Sequence, residues 1–270
     1  MNRLAVRKAY KLYVGGAFVR SESGRYDKHQ DHNVPRGSRK DVRDAVKAAR
    51  AAAGPWAART AYNRGQILYR AAEALESRRS QMASEPSELD ASIDVLVHYA
   101  GWTDKLQPVL GGINPVAAPF LSFSLPEPTG VVGLVAPDEP PLLGLIGELA
   151  PPLAAGNTVV AALSETAPLA GLDLAEVLGV SDLPGGVVNL ISGRRAELAP
   201  ALAAHHDLNA IVDCSGDAEL VADIDRLAAE SVTRVRHAGA TTSYEAATAD
   251  ALSRLEAVTE LKTAWHPVGA

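Results

Sequence analysis

The sequence predicts a doubly wound parallel α/β sheet preceded by a helical region. Two observations lead there. Short, mainly apolar runs at Val131–Val135, Thr158–Ala162, Val187–Ile191 and Ala210–Asp213 alternate with helical stretches at Leu142–Leu153, Leu169–Leu178, Ala196–Ala204 and Asp217–Ala229. Apolar strands alternating with helices imply parallel strands covered on both faces. The 130 residues before this region are richer in charge and helical periodicity than in strands. Leu12–Arg20 (LYVGGAFVR) predicts a hairpin around Gly15–Gly16. Ser21–Lys40, polar and broken by Gly and Pro, predicts a loop. Asp41 is placed to N-cap a helix that runs to Ala53 and stops at Gly54–Pro55. Tyr62–Ser84 predicts a longer helix, with Ile67, Leu68, Ala71, Leu75 and Met82 as its apolar stripe. A third helix is expected from Pro86 to Lys105. A Gly/Pro-rich stretch, Gln107–Pro119, leads to an alternating strand, Phe120–Leu125 (FLSFSL). Val232–Arg236 is a candidate last strand of the sheet, Tyr244–Val258 a helix and Thr259–His266 a terminal strand.

Composition narrows the function classes. The chain has 270 residues, 47% hydrophobic and 21% charged, with a formal net charge of −6. Charges of both signs are scattered, which argues against a nucleic-acid footprint, for which Lys and Arg would cluster. The single cysteine, Cys214, excludes an intrachain disulfide and fits a reducing compartment. Met1–Lys11 is basic without an apolar core, so it does not read as a secretory signal. The most apolar run, Val131–Leu149, is interrupted by Pro137, Asp138, Glu139, Pro140, Pro141 and Glu148 and cannot span a bilayer. A cytoplasmic location is expected, with neither nucleic-acid nor membrane partners.

Three blocks occur in a set order: GVVGLVAP at Gly130–Pro137, LAPPLAAGNTVV at Leu149–Val160 and LPGGVVNLISG at Leu183–Gly193. Together with KLYVGGAFV at Lys11–Val19, TAYNRGQILYRAAEALESRR at Thr60–Arg79 and VTELKTAWHPVG at Val258–Gly269, they make the chain resemble the aldehyde dehydrogenase superfamily. The resemblance implies a Rossmann-like, doubly wound core that binds NAD(P) and a small β oligomerisation flap. It divides the chain into 1–105 (hairpin and helices), 106–128 (first part of the flap), 129–240 (α/β core) and 241–270 (terminal helix and flap strand). In the family, a catalytic domain carrying the cysteine nucleophile follows the glutamate-glycine-glycine segment. Here Val232–Gly239 leads within a few residues to the terminal helix, so the sequence resembles a truncated member, like the non-catalytic second copy in tandem-type enzymes.

The same resemblance locates what the chemistry would need. Glu139 stands at the position of the oxyanion-binding asparagine, and Asp138 at that of the preceding tryptophan. The ribose-binding Lys-Pro-Ser-Glu loop corresponds to Ala162-Leu163-Ser164-Glu165, which leaves Glu165 as a vestigial cofactor contact. The glycine-rich turn that meets the pyrophosphate corresponds to Cys214–Glu219. There Cys214 and Glu219 replace glycines, and Ser215 is the second vestigial contact. The general-base glutamate corresponds to Val235. No catalytic residue, no metal site and no tightly bound cofactor are therefore expected. Cys214 reads as a small buried residue, Asp138–Glu139 as a solvated turn, and His205–His206 as a polar helix end. Arg194, Arg195, Arg234 and Arg236 read as scattered surface charge.

The flap is the part kept intact. Phe120, Leu121, Phe123, Leu261 and Trp265 are the expected interface residues, because a few isolated strands leave an edge that another subunit would cover. The leading expectation is a non-catalytic subunit that pairs with a full-length aldehyde dehydrogenase and supports its active site through the flap. The alternative is a free-standing nucleotide-binding or homo-oligomeric module. A working dehydrogenase would have to use Cys214 as its nucleophile, with no base in view.

Overall fold

Fully buried strands build the centre of the molecule. A computed structural model of the chain describes Leu4 and residues 6–268; Met1–Arg3, Ala5, Gly269 and Ala270 lie outside the described residues. The reading of Met1–Lys11 and the end of the tail motif therefore fall partly outside them. Strands β7 (Val131–Val135), β8 (Thr158–Ala162), β9 (Val188–Ile191), β10 (Ala210–Asp213) and β11 (Arg234–His237) form a parallel sheet. A hairpin of β1 (Leu12–Val14) and β2 (Ala17–Val19) adds to it antiparallel through β9. The order is β11-β10-β7-β8-β9-β1-β2. The chain winds from β7 through β8 to β9, then returns to the other side of β7 for β10 and β11. That reversal makes the doubly wound topology expected from the sequence. Gly15 and Gly16 supply the two positive φ angles, 63° and 81°, of the hairpin turn.

Alternation along β7 assigns the two layers. Val132 and Leu134 face one apolar cluster and Val131 and Val135 the other. The first cluster is covered by α2 (Ala61–Ser77), α3 (Pro86–Ala100), α5 (Pro141–Ala155) and α6 (Pro168–Leu178). The second is covered by α1 (Arg39–Ala57), α7 (Arg195–Ala203) and α8 (Ala218–Glu230). No described helix is long and apolar enough to cross a membrane.

Several local expectations need correction. The 21–40 loop contains a second hairpin, β3 (Tyr26–His29) and β4 (His32–Pro35). Its strands carry no apolar alternation. They are held by Val34, which is buried in the core, by the Arg36–Asp27 ion pair and by Arg36 N–H donating to the Arg25 carbonyl (2.9 Å). Helix α1 is N-capped by Ser38, not Asp41. Asp41 is its third residue, and its carboxylate accepts from Ser38 N–H (2.8 Å), Ser21 Oγ (2.9 Å) and Glu22 N–H (3.2 Å). The same helix runs through Gly54–Pro55 to Ala57, because burying Trp56 holds its last turn. Helix α2 ends at Ser77, and a 3₁₀ turn, Arg79–Gln81, carries the chain to Met82. Helix α3 ends at Ala100; the stretch after it folds as α4 (Leu106–Leu110) and β5 (Gly112–Asn114). The expected 244–258 helix is two short ones, α9 (Tyr244–Thr248) and α10 (Ala251–Glu256).

A separate three-stranded sheet stands off the core in the order β12-β6-β5, with β6 spanning Phe120–Pro128 and β12 spanning Thr259–Pro267. β6 and β12 pair antiparallel over their whole length, from Thr259↔Pro128 to Pro267↔Phe120.

Candidate functional site

The carboxyl edge of a doubly wound sheet, where strand order reverses, is where such folds bind ligands. Here the reversal lies between β7 and β10, and the helices that follow the strands point their N-termini at that edge. A helix N-terminus offers unpaired N–H groups and a positive partial charge to an anion. At α5, α7 and α8 some of those groups are already paired with the chain's own carboxylates. Glu88, on α3, accepts from Leu142 N–H (2.7 Å) and Leu143 N–H (3.0 Å) at the start of α5. Glu165 accepts from Arg195 N–H (2.8 Å) at the start of α7 and from Arg194 Nη1 (3.0 Å). Asp217 accepts from Glu219 N–H (3.0 Å) and Leu220 N–H (3.2 Å) at the start of α8.

Asp138 extends the closure. Its carboxylate accepts from Glu165 N–H (2.9 Å), Ser164 Oγ (3.0 Å) and Arg195 Nη1 (3.0 Å), and Arg195 Nη2 also reaches the Ala136 carbonyl (3.0 Å). Burial disfavours the Asp138 charge, but the Arg195 guanidinium outweighs it and holds the carboxyl below the usual carboxylate range. This side chain is therefore not the solvated turn expected from the sequence; only its neighbour Glu139 is exposed. Arg194 and Arg195 are likewise not scattered surface charges but the cations of this network. Glu165, the first vestigial cofactor residue, is committed to α7 and Arg194. Ser215, the second, accepts from Asp217 N–H (3.3 Å) and shapes the turn before α8.

These residues do not fit a dinucleotide. A diphosphate at the start of α8 would meet the Asp217 carboxylate already on those amides, with Glu219 beside it in the first turn. A ribose reaching for Glu165 would compete with two existing donors. Millimolar NAD+ or NADH is therefore expected to leave the melting temperature unchanged. A ligand that binds only the folded state must raise it in proportion to RT ln(1 + [L]/Kd), so a rise in a thermal-shift titration would contradict this reading.

The remaining chemistry is equally committed. Cys214 is buried at the end of β10. Burial first, then the nearby Glu148 carboxylate, pushes its thiol pKa far up, so the nucleophilic thiolate is not formed at neutral pH. Val235 packs against the α1/α7/α8 layer, and its neighbours on β11 are Arg234, Arg236 and His237. No carboxylate on β11 can serve as a base. Among the described residues no group of three His, Cys, Asp or Glu is placed to hold a metal. His205 Nδ1 accepts from Asp207 N–H (3.2 Å), as suits a helix end.

His237 lies between two carboxylates, Asp213 (Nδ1, 3.2 Å) and Asp225 (Nε2, 2.9 Å). Burial opposes its charge, but the hydrogen bonds to Asp225 and Asp213 prevail and raise its pKa above 6.5. A raised folded-state pKa stabilises the fold fully below the unfolded value. The contribution is lost as pH climbs through the folded one. The gap in melting temperature between the native chain and His237→Ala should therefore be widest near pH 6 and narrow towards pH 9. A gap that widened with pH would reverse the assignment.

A third cluster was not legible in the sequence. Glu148, 2% exposed on α5, receives both Arg236 from β11 and Arg254 from α10, with Thr241 Oγ1 at 3.4 Å. Thr241 packs so closely on α5 that a Cβ at Gly147 would come within 2.8 Å of its Cγ2. The connector between β11 and α9, only residues 238–243, is thus seated on the core. Arg234, too, is not scattered charge: it pairs with Glu260 (2.6 Å) and donates to the Ala257 carbonyl (3.1 Å), tying β11 to the base of the flap. Asn157, fully buried, completes the hinge: its Oδ1 accepts from Gly130 N–H (2.7 Å) and its Nδ2 donates to the Val258 carbonyl (2.9 Å).

The flap differs in character from the carboxyl edge. Directly opposed residues share a face, so Phe120, Ser122, Ser124, Leu261, Thr263 and Trp265 lie on one side. Leu121, Phe123, Leu125 and Ile113 lie on the other. Phe120 and Trp265 meet edge to face at 6.0 Å, yet Trp265 and Leu261 are each 60% exposed and Ile113 is 77% exposed. Phe120, Leu121 and Leu125 are exposed as well, and Phe123 is half-buried.

With this geometry in view, comparison with known proteins decides the family. The aldehyde dehydrogenase family model matches residues 23–251. The chain belongs to the aldehyde dehydrogenase family. It is 32% identical over 244 residues to aldehyde dehydrogenase, cytosolic 1, of Elephantulus edwardii, covering 82% of this chain and 48% of that protein. It is 35% identical over 194 residues to mitochondrial aldehyde dehydrogenase of Rattus norvegicus, covering 66% and 37%. Among solved structures, the NAD+ complex of aldehyde dehydrogenase from Bacillus cereus superposes with a TM-score of 0.79 at 28% identity, covering 85% of this chain and 50% of that one. The chain thus spans about half the length, or less, of the aldehyde dehydrogenases it matches, and its fold is theirs over that half.

Proposed function

We propose that this chain is a non-catalytic aldehyde dehydrogenase subunit, acting in the cytoplasm, that joins a full-length relative and supports that partner's active site through its flap. The observation that carries the reading is the self-capping of the carboxyl edge. The helix starts that would hold a dinucleotide are closed by Glu88, Glu165 and Asp217. The one cysteine is buried, and the last strand of the sheet offers guanidinium and imidazole groups but no carboxylate. A free-standing nucleotide-binding module draws no support from such an edge. The flap, by contrast, keeps apolar side chains exposed on both faces, the state of a surface made to be covered.

The enzymatic half of the reading is tested by an aldehyde oxidation assay that follows NADH. The chain alone is expected to give no turnover. Added to a full-length aldehyde dehydrogenase from the same organism, it is expected to change the partner's KM or thermal inactivation rate. Turnover by the purified chain, or a partner indifferent to it at saturating concentration, would overturn the reading.

A further inference from the structure

The carboxyl edge is self-neutralised, but one region far from it along the chain is not. A cleft of about 460 Å³ lies between the segment preceding β1 and the β3–β4 hairpin. Arg7, Lys11, Arg20, Lys28 and His32 line it, together with Tyr26. Most of the arginines elsewhere have carboxylate partners, as at Arg36, Arg79, Arg194, Arg195, Arg234, Arg236 and Arg254. Here, among the described residues, Arg7, Lys11, Arg20 and Lys28 make no ion pair. Arg7 reaches only the Asp31 backbone carbonyl (2.9 Å). Asp31 is the one acidic residue lining the cleft. The fifth cation, Lys8, is spoken for by Asp173 and Glu176 (3.0 Å). It lies 4.6 Å over the Tyr10 ring, and His32 packs edge-on to the same ring at 5.2 Å, so the floor of the cleft is a fixed aromatic pair.

A chain of net charge −6 that gathers four unpaired cations around one cleft carries a local repulsion that an anion would relieve. The volume is that of a small-molecule site, not a nucleic-acid track. Two guanidinium groups can each grip a phosphoryl group with two N–H donors, and two ammonium groups supply point charges between them. The exposed Tyr26 ring offers an aromatic face beside them. We propose that this cleft binds a small oligophosphate, a run of linked phosphoryl groups either free or carried on a nucleoside. The inference is independent of the pseudoenzyme reading, because none of the carboxylates that cap the helix starts, Glu88, Glu165 and Asp217, lines the cleft.

Isothermal titration of the whole chain with inorganic triphosphate tests it. Saturable one-to-one binding is expected, weakening as salt is raised. Arg20→Ala combined with Lys28→Ala should weaken it by about tenfold or more, since each lost charged contact to phosphate is worth that order. Arg226→Ala, on α8, should leave it unchanged. Circular dichroism of the double variant separates lost binding from lost fold, and Lys11→Ala alone supplies a milder variant. ATP binding tighter than triphosphate, with the excess removed by Tyr26→Ala, identifies the nucleoside-borne source; equal affinities identify the free chain. Absence of saturable binding at millimolar triphosphate would overturn the proposal. So would unchanged binding by a folded double variant, equal affinity for sulfate, or displacement of triphosphate by short duplex DNA.

Discussion

Glu148→Gln is expected to destabilise the fold by about 3–5 kcal/mol, the range for removing one partner of a buried ion pair. For a chain of this size that corresponds to a melting temperature lower by roughly 10 °C. The reason is asymmetry. Glu148 is almost wholly buried and balances two guanidinium groups, Arg236 and Arg254, each under partial cover. An amide cannot neutralise them, and neither arginine can lose its proton. The damage should concentrate where Arg254 anchors the tail. Arg254 also donates to the Ala246 carbonyl (3.1 Å), so α9, α10 and the start of β12 lose their hold on α5. Proteolysis within residues 238–243 should accelerate in the variant. Replacing the whole cluster with apolar residues, as Glu148→Leu, Arg236→Met and Arg254→Met, should recover most of the loss, because no stranded charge remains. Urea unfolding measures both. A Glu148→Gln cost below about 1 kcal/mol would class the cluster with solvent-exposed ion pairs.

Leu261→Asp with Trp265→Asp should abolish association with a full-length partner while leaving the chain folded. Both side chains stand on β12, both are 60% exposed, and neither contributes to the core clusters. Buried apolar anchors at an interface typically contribute about 2–4 kcal/mol each, so losing two and adding two charges to a dry contact should weaken binding beyond detection at micromolar protein. Unfolding of the isolated chain should move by no more than roughly 2 kcal/mol, the loss of the Phe120–Trp265 contact plus two surface substitutions. The pair of readouts separates an interface from a structural role: a variant that unfolds, or one that still associates, would contradict the assignment.

How much of this was legible before folding depends on the range of each interaction. The parallel strands were legible because burial on both faces leaves a continuous apolar run, as at Val131–Val135 and Thr158–Ala162. The flap strands were legible from alternation and length, and Asp217 from its place ahead of a helix. The β3–β4 hairpin was not, because in YDKH and HNVP a lone buried Val34 gives no alternation and the rest depends on a pairing to Arg36. Helix α1 was misread at both ends. Ser38 and Asp41 form one capping arrangement in which the later residue looks like the cap, and burial of Trp56 overrides the Gly54–Pro55 stop signal.

At the site, the losses at Cys214 and Glu139 could be read residue by residue. The closure by Glu88 could not, since Glu88 and Leu142 are 54 positions apart and nothing local marks their meeting. For the same reason Arg194, Arg195, Arg234 and Arg236 read as scattered charge until Asp138, Glu148, Glu165 and Glu260 are brought to them. Asn157 sits inside a block that carries the family resemblance. Its role as a hinge between β7, α5 and the tail becomes visible only once Val258 is folded against it.

Light scattering coupled to size-exclusion chromatography, on the chain alone and mixed with a full-length aldehyde dehydrogenase from the same organism, reads the association itself. A new co-eluting species of defined mass, lost with Leu261→Asp and Trp265→Asp, is the predicted result. A chain that forms its own closed oligomer and elutes apart from the partner at every ratio would contradict it.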